Sequence, residues 1–337
     1  MRMTLGRCLV GTLLVAATGF IHSPGVGVGV APVAPSRATV DVPAWLYPSQ
    51  APTAAHAWDS VTRLRVPRSR ASFPEHRLHD LFFAPDWNAE SHAAMPAVVA
   101  RGRKPDLYAC GYCHMPDGAG RPENVGLAGL PVAYIVQQVA DMKAQTRRSA
   151  WPNAWVPSDN MQIVAQHATE DDVRIAAEYF SRLRPRQRTR IVETTVIPRV
   201  RMALGLYVRE PGAATEALAE RLIEVPDDEI RHERRDPWIG YTAYVPPGSI
   251  ARGRAKTHTP AAPGLLACVG CHGPALRGVG VIPPLAGRSP AYVVRQLLAF
   301  KSGTRATAAG LPMQGVAAAL TLDDMIAVAA YAATLKP

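Results

Sequence analysis

Apolar residues recur at helical spacing in four segments of the chain, and these segments form two similar pairs. The first pair is 131–146 with 169–183, and the second is 290–302 with 321–335. A proline begins the leading helix of each pair, where its missing N–H donor costs nothing. A threonine starts the second helix as an N-cap, and aspartates two and three positions later favour a helix N-terminus. The pattern predicts a mainly α protein.

The stretch 187–247, between the two pairs, follows a different pattern. Residues 190–196 alternate as in a strand, whereas 214–223 have the pattern of a short helix. Residues 231–247 are first charged and then rich in Trp, Tyr and Pro. We predict an inserted linker that is irregular and partly β. It either wraps over the flanking domains or serves as a docking module for a partner.

The N-terminal residues predict a leader followed by an arm. Arg2 and Arg7 precede an apolar run at 9–21, so that residues 1–22 have the composition of an export signal. The run is short for a membrane span, and the alternative to a cleaved signal is an uncleaved anchor. Cys8 lies in this leader. Residues 23–71 are rich in proline and predict an extended arm, with a flexible tether at 25–35.

The pentapeptide C-x-x-C-H occurs at 110–114 and again at 268–272, and it uses four of the five cysteines. This is the attachment signature of c-type haem, in which two thiols add to the vinyl groups and the adjacent imidazole binds the iron. A zinc site or a redox thiol pair is the alternative. The motifs predict two covalently attached haem c groups, held by Cys110, Cys113, His114, Cys268, Cys271 and His272. Such haem is attached outside the cytoplasm, which agrees with a periplasmic location.

The chain also repeats itself beyond the motifs. Cys268 follows Cys110 by 158 positions, and several residues match at that offset. The matches include Tyr134 with Tyr292, Gln138 with Gln296, and Arg147 with Arg305. After a loss of six residues the match continues, and Met161-Gln162 falls on Met313-Gln314. We predict an internal duplication.

The second iron ligand of each haem follows from this repeat. Met161 and Met313 are the methionines that recur in both copies after the motif. Thioether is a soft ligand that favours Fe(II), so a His/Met pair raises the reduction potential. We predict the ligand pairs His114/Met161 and His272/Met313, with the methionines in loops between the two helices of each copy. The repeated tyrosines and arginines either contact haem propionates or have ordinary core and surface roles.

With the motif, the methionine, an L-A-G segment and the terminal helix in this order, each half resembles a class I cytochrome c. The duplicated arrangement resembles the dihaem cytochromes of the c4 type, over about residues 98–186 and 248–337. The resemblance implies two small helical domains, at 72–186 and 248–337, each wrapping one haem. It also implies a periplasmic electron carrier between a membrane complex and a terminal oxidase.

One departure from the family concerns the proximal histidines. Family members often carry a proline before L-A-G, and its carbonyl orients the histidine by accepting the ring N–H. Pro284 occupies that place in the second half, whereas Gly126 stands there in the first. The resemblance therefore supports this contact for His272 and leaves that of His114 open.

Charge bears on the partners. The formal net charge is +10, and residues 248–337 hold nine Lys and Arg against two acidic residues. Residues 72–186 hold twelve against thirteen. This asymmetry predicts that the second half docks on an acidic redox partner or associates peripherally with an anionic membrane face. Nucleic-acid binding is not expected, because no stripe of basic and aromatic residues accompanies the charge.

An electron carrier is the function that these features favour, and no catalytic residue is predicted. Two similar six-coordinate irons leave no position for a substrate. The alternatives are a dihaem redox enzyme, of the peroxidase or thiosulfate dehydrogenase type, and a cytochrome subunit of a dehydrogenase complex. The repeated methionines argue against one carrier haem beside one catalytic haem.

Overall fold

The computed structural model describes residues 40–49, 57–203 and 205–337. The predicted leader at 1–22, Cys8 within it and the predicted tether at 25–35 lie outside these residues. The helices of the described part are α1 (Glu75–Leu78), α2 (Ala97–Ala100), α3 (Cys110–His114), α4 (Val132–Lys143), α5 (Val156–His167), α6 (Glu170–Ser181), α7 (Glu229–Glu233), α8 (Ser249–His258), α9 (Cys268–His272), α10 (Pro290–Lys301), α11 (Leu311–Ala319) and α12 (Leu322–Thr334).

The four helices predicted from apolar spacing are confirmed as α4, α6, α10 and α12. At α6 the Thr169 hydroxyl accepts a hydrogen bond from the Asp172 backbone N–H, and the Asp172 carboxylate accepts one from the Thr169 N–H. Thr321 and Asp324 form the same reciprocal cap at α12. These caps satisfy N–H groups that a helix leaves unpaired in its first turn. The threonine signal in the sequence therefore marks the true helix starts.

The strands lie mainly in the insert at 187–247. They are β1 (Arg63–Leu64), β2 (Phe73–Pro74), β3 (Thr189–Glu193), β4 (Val196–Pro198), β5 (Val200–Ala203), β6 (Leu206–Arg209), β7 (Thr215–Ala217), β8 (Ile223–Pro226) and β9 (Tyr241–Val245). In the three-stranded sheet β3-β9-β8, β3 runs parallel to β9 and β8 runs antiparallel to it. The predicted strand at 190–196 is confirmed over most of its length by β3.

The prediction of a short helix at 214–223 is wrong. The segment instead forms β7, which pairs antiparallel with β4, and then leads into β8. Leu218 is fully buried with Ile197 and Ile223 in the core of the insert. Strand pairing and burial of these side chains outweigh the weak local preference of the segment for helix.

A buried carboxylate ties the insert to the second half. Glu224 in β8 accepts hydrogen bonds from the Thr189 hydroxyl at 2.9 Å and from the Ser289 hydroxyl at 2.6 Å. Ser289 is also the N-cap of α10, where its hydroxyl accepts from the Tyr292 N–H. The insert and the start of α10 are therefore held by one set of hydrogen bonds.

This carboxylate predicts a pH dependence of stability. Burial raises the pKa of Glu224, so the folded protein holds this proton more tightly than the unfolded chain does. The stability that this group contributes is fully present below the ordinary carboxyl pKa, and it is lost as the pH rises through the raised value.

A glutamine at position 224 keeps the size of the glutamate side chain and cannot ionise. We expect denaturant unfolding curves of Glu224→Gln and the unaltered protein to agree at acid pH. At higher pH the variant should have the larger free energy of unfolding. The difference should be about 1.4 kcal/mol for each tenfold difference in the proton affinity of Glu224 between the folded and the unfolded protein. A constant gap across the pH range would contradict this expectation.

Helices α8 and α12 of the second half cross closely at a glycine. A Cβ atom on Gly253 would lie 1.9 Å from the carbonyl oxygen of Ala327 and 2.9 Å from the Cβ of Tyr331. Both neighbours belong to α12, and Ala327 is fully buried. Only a residue without a side chain permits this approach of the two backbones.

The two halves meet along a short backbone contact. The Arg148 N–H donates to the Thr304 carbonyl, and the Ala306 N–H donates to the Thr146 carbonyl, each at 2.8 Å. This places Arg147 opposite Arg305 in an antiparallel bridge. The turns that end α4 and α10 are thus joined directly to each other.

No single helix within the described ranges combines the length and apolar character needed to cross a bilayer. Ala308–Ala319 and α12 pass together by length and composition, although the chain bends by 117° between them. Most residues of α12 are buried, as in the core helix of a helical bundle.

Candidate functional site

The two C-x-x-C-H motifs form the short helices α3 and α9. Each helix places its two cysteines one turn apart, with the histidine directly after the second. Burial raises the pKa of the Cys110 thiol to about 12 and raises those of Cys113 and Cys268 above their ordinary value. Burial thus favours the neutral thiol over the thiolate at these three cysteines.

Both histidines make the same second contact. His114 Nδ1 lies 2.7 Å from the Val125 carbonyl oxygen, and His272 Nδ1 lies 2.8 Å from the Pro283 carbonyl oxygen. Burial lowers the pKa of both imidazoles, which favours the neutral ring. A neutral ring that donates from Nδ1 has its other nitrogen, Nε2, free to bind a metal.

This geometry corrects the expectation about the proximal carbonyl. The acceptor in the second half is Pro283 and not Pro284. Val125 takes the matching place in the first half, so Gly126 does not alter the contact. A backbone carbonyl accepts the hydrogen bond, and for that reason the side chain at this position is not decisive.

An apolar cleft opens beside the first motif. It holds about 1290 Å³ of empty space, counted out to the open solvent. Cys110, Cys113 and His114 line the cleft, and Met161 lines it with them. The other walls are largely aliphatic and aromatic, with Val98, Ile135, Val164 and Phe180 among them. Such a cleft suits a large, flat, apolar group and keeps water away from it.

Polar side chains also line this cleft. Arg147 and Arg295 line it, and both side chains are buried. The Arg295 guanidinium lies 4.8 Å from the centroid of the Trp155 ring, and Trp155 Nε1 is buried without a hydrogen-bond partner among the described residues. Leaving such a donor unpaired costs about 1–3 kcal/mol. The residues therefore fit a flat group that carries negatively charged oxygens at its edge, such as haem with its propionates.

The expectation that the two methionines lie in loops is wrong. Met161 is in the middle of α5, and Met313 is in the first turn of α11. Pro157 and Pro312 stand at the starts of these helices, where proline is favoured. The prolines were visible in the sequence, and the same rule that located α10 would have located α5 and α11.

The structure places Met161 in the cleft of His114, whereas the position of Met313 is defined by its contacts in the second half. Met313 packs against the buried cluster that includes Phe300 and Met325. On the same helix, a Cβ atom on Gly315 would lie 3.5 Å from Leu265 Cδ2. Because Leu265 precedes the second motif by three residues, α11 lies beside the segment that leads into Cys268.

The repeated tyrosines, glutamines and arginines join the two halves reciprocally. Arg147 donates to the Tyr292 hydroxyl at 3.4 Å and to Gln296 Oε1 at 3.2 Å. Arg305 donates to the Tyr134 hydroxyl at 3.1 Å and also to Gln138. Each arginine thus reaches the tyrosine and the glutamine of the opposite half. Arg147 and Tyr292 also line the first cleft, so this contact borders the site.

One residue beside the site has no signal in the sequence. Arg235, from the insert, lies with its guanidinium 3.4 Å from the centroid of the Tyr112 ring. It also donates to the Tyr112 carbonyl at 2.7 Å and to the Leu78 carbonyl at 3.0 Å. Tyr112 is inside the first motif, so the insert holds that motif from outside. The two residues are too far apart in the chain for a local pattern to reveal their contact.

Comparison with known proteins points to one family. Residues 259–336 match the family model described as cytochrome c. Cytochrome c4 of Azotobacter vinelandii is 27% identical over 245 residues, which cover 72% of this chain and 90% of that protein. A thiosulfate dehydrogenase electron acceptor of Thiomonas intermedia (strain K12) is 27% identical over 215 residues, covering 63% and 71%.

A shorter relative gives the more identical match. Cytochrome c-554(547) of Halothiobacillus neapolitanus is 42% identical over 77 residues, which are 20% of this chain and 85% of that protein. This extent agrees with one haem motif and its helices, and the match to cytochrome c4 agrees with two. The chain belongs to the cytochrome c family, whose members carry covalently bound haem c, and it resembles cytochrome c4.

Proposed function

We propose that this protein is a dihaem electron carrier of the periplasm. The observation that carries the proposal is the pair of C-x-x-C-H helices whose histidines make matching hydrogen bonds to backbone carbonyls. Cys110 and Cys113 would attach one haem, and Cys268 and Cys271 the other. The proposed axial ligands are His114 with Met161 and His272 with Met313. We further propose that the two halves arose by duplication.

The haem iron supplies the exchangeable electron, and the protein's own residues adjust its environment. The Val125 and Pro283 carbonyls hold each imidazole in one orientation and raise its basicity through Nδ1. A methionine ligand would favour the reduced iron, while the apolar walls of the first cleft would exclude water from the haem. Arg147, Arg295 and Trp155 would bind the propionates of the first haem and balance their charge.

An electron carrier agrees better with these residues than a dihaem enzyme does. A peroxidase or thiosulfate dehydrogenase needs an iron position that substrate can reach. Met161 lines the first cleft together with the motif and with aliphatic neighbours, and we propose that it takes the position that a substrate would need. The repeat of this methionine as Met313 supports a similar haem in the second half. A carrier subunit within a larger redox complex is included in this proposal.

The partners that we propose are redox proteins, acidic or membrane-bound, which dock on the second half. The relative from Thiomonas intermedia, an electron acceptor of thiosulfate dehydrogenase, supports a thiosulfate-oxidising enzyme as one such donor. Arg295 and Arg305 are buried and cannot take part in docking. The exposed cations of this half are Arg252, Arg254, Arg277 and Lys336, together with Lys256, which pairs with Asp324. Export by residues 1–22 would bring the protein to these partners.

The test is a spectroelectrochemical titration of the matured protein, with CO added to the reduced form. We expect two low-spin haems that refuse CO, because both irons have two protein ligands. A haem that binds CO in the unaltered protein would contradict a Met ligand at that iron and would favour the enzyme alternative. Haem stoichiometry, measured on the same sample, should give two per chain.

A further inference from the structure

A surface groove lies on the first half, away from the cleft of the first haem. It contains about 1540 Å³ of empty space, counted out to the open solvent. Its lining comes from four parts of the chain, namely the segment before α2, Asp117 after the first motif, the outer face of α6 with the residues after it, and the insert. The residues that matter for recognition are His92, Ile175, Tyr179, Arg182, Arg184 and Trp238.

Two cations in this groove have no counter-charge. The side chains of Arg182 and Arg184 are exposed, and neither makes an ion pair or a side-chain hydrogen bond within the described part of the chain. The other charged groups of the groove are already paired. Arg186 pairs with Asp117, and Glu178 pairs with Arg174 at 3.0 Å. The groove therefore offers two positive charges to an incoming ligand.

The groove also offers apolar surface that is held rigidly. Trp238 is 40% exposed and Ile175 is 38% exposed. The Arg186 guanidinium lies 4.0 Å from the centroid of the Trp238 ring, and Trp238 Nε1 donates to Asn88 Oδ1 at 3.0 Å. Fixed aromatic side chains of this kind bind a partner at little entropic cost.

The floor of the groove leads to the proximal histidine of the first half. Tyr179 and Phe180 are neighbours in α6, with ring centroids 5.2 Å apart, and the Phe180 centroid lies 6.2 Å from that of the His114 ring. The Tyr179 hydroxyl donates to the Pro116 carbonyl at 2.7 Å, just after the first motif. A molecule in the groove would be connected to the first haem by packed aromatic rings.

We propose that this groove docks an acidic segment of a redox partner, distinct from the partner that docks on the second half. Carboxylates of the segment pair with Arg182 and Arg184, and an apolar side chain packs on Trp238 and Ile175. The carrier would then exchange electrons with one partner at each haem. This inference rests on the proposed electron-carrier function. A membrane is the poorer occupant, because a flat lipid surface does not enter a groove.

The experiment measures binding to the haem-loaded protein by fluorescence anisotropy. The probe is a short synthetic peptide in which Glu alternates with Leu, labelled at its N-terminus, and a Lys/Leu peptide is the control probe. The variants are Arg182→Glu/Arg184→Glu and Ile175→Asp. Arg65→Glu/Arg70→Glu is the matched control, with the same charge change at two exposed arginines that do not line the groove. At about 0.15 M salt the Debye length is about 8 Å, so distant charges contribute little.

We expect the acidic peptide to bind the unaltered protein and the Arg65→Glu/Arg70→Glu control alike. Its affinity should fall about tenfold or more in both groove variants, because like charges then face each other. The inference is overturned if the acidic peptide does not bind, if the Lys/Leu peptide binds as well, or if the Arg65→Glu/Arg70→Glu control loses as much affinity. It is also overturned if vesicles of anionic phospholipid bind the protein in a groove-dependent way while the peptide does not.

The haem spectra of the same samples separate the two proposals. Two low-spin haems without peptide binding would refute docking in the groove and would leave the electron-carrier proposal standing. A CO-binding haem in the unaltered protein would refute the electron-carrier proposal, whether or not the peptide binds.

Discussion

Met161→Ala should open the iron of the first haem to CO after reduction and should lower the reduction potential of that haem. Alanine cannot replace the thioether, which stabilises Fe(II), and it leaves the sixth position of the iron free. CO binding should rise from none to one of the two haems, and the second haem should keep its spectrum. Optical titration with CO and a spectroelectrochemical scan measure both effects.

Met142→Ala provides a matched control for this variant. Met142 lies on α4 and lines the same cleft as Met161, so both variants remove a methionine from the same surroundings. We expect the control to keep two low-spin haems. If Met142→Ala opens the iron and Met161→Ala does not, the ligand has been assigned to the wrong helix. Met313→Ala tests the second half in the same way.

Gly253→Ala should destabilise the second half by about 2–3 kcal/mol, as overpacking of a tight contact does. The new Cβ would meet the carbonyl carbon and oxygen of Ala327, and backbone atoms of a buried helix cannot move away easily. This loss would exceed the gain of about 1 kcal/mol that alanine brings to a helix interior. Denaturant unfolding, followed by circular dichroism, measures the difference.

Gly315→Ala makes the same substitution in the same half with the opposite expected sign. Gly315 is an exposed residue inside α11, and an added Cβ would meet Leu265 Cδ2 at an ordinary distance of 3.5 Å. We expect a gain of up to about 1 kcal/mol from helix propensity. Equal effects of the two substitutions would show that the close crossing of α8 and α12 is not what makes Gly253 necessary.

The features of the site that are local in sequence were predictable. The spacing of C-x-x-C-H fixes both cysteines and the histidine on one short helix, and no distant residue is needed for that. The helices α6 and α12 were predictable for the same reason, because Thr169 and Thr321 cap them through residues three positions away. The internal repeat extended this to Met161, which the structure places in the first cleft.

The predictions that failed concerned features that depend on contacts between residues distant in sequence. The segment 214–223 became a strand because β4 pairs with it and because Leu218 enters the core of the insert. The repeat singled out Arg147 and Arg305, yet it could not show that each binds the opposite half. The contact of Arg235 with Tyr112 likewise joins residues that are distant in sequence. The methionine helices are different, since Pro157 and Pro312 were local signals that were overlooked.

The parallel pairing of β3 with β9 has a consequence for how the protein unfolds. β3 begins just after the first half ends, β9 stops just before α8, and the ladder runs from Thr189 opposite Tyr241 to Glu193 opposite Val245. The ladder lies within the insert and holds the end of the first half beside the start of the second, although each half has its own hydrophobic cluster. The two halves should therefore melt together, as a single calorimetric transition, where a flexible tether would permit two.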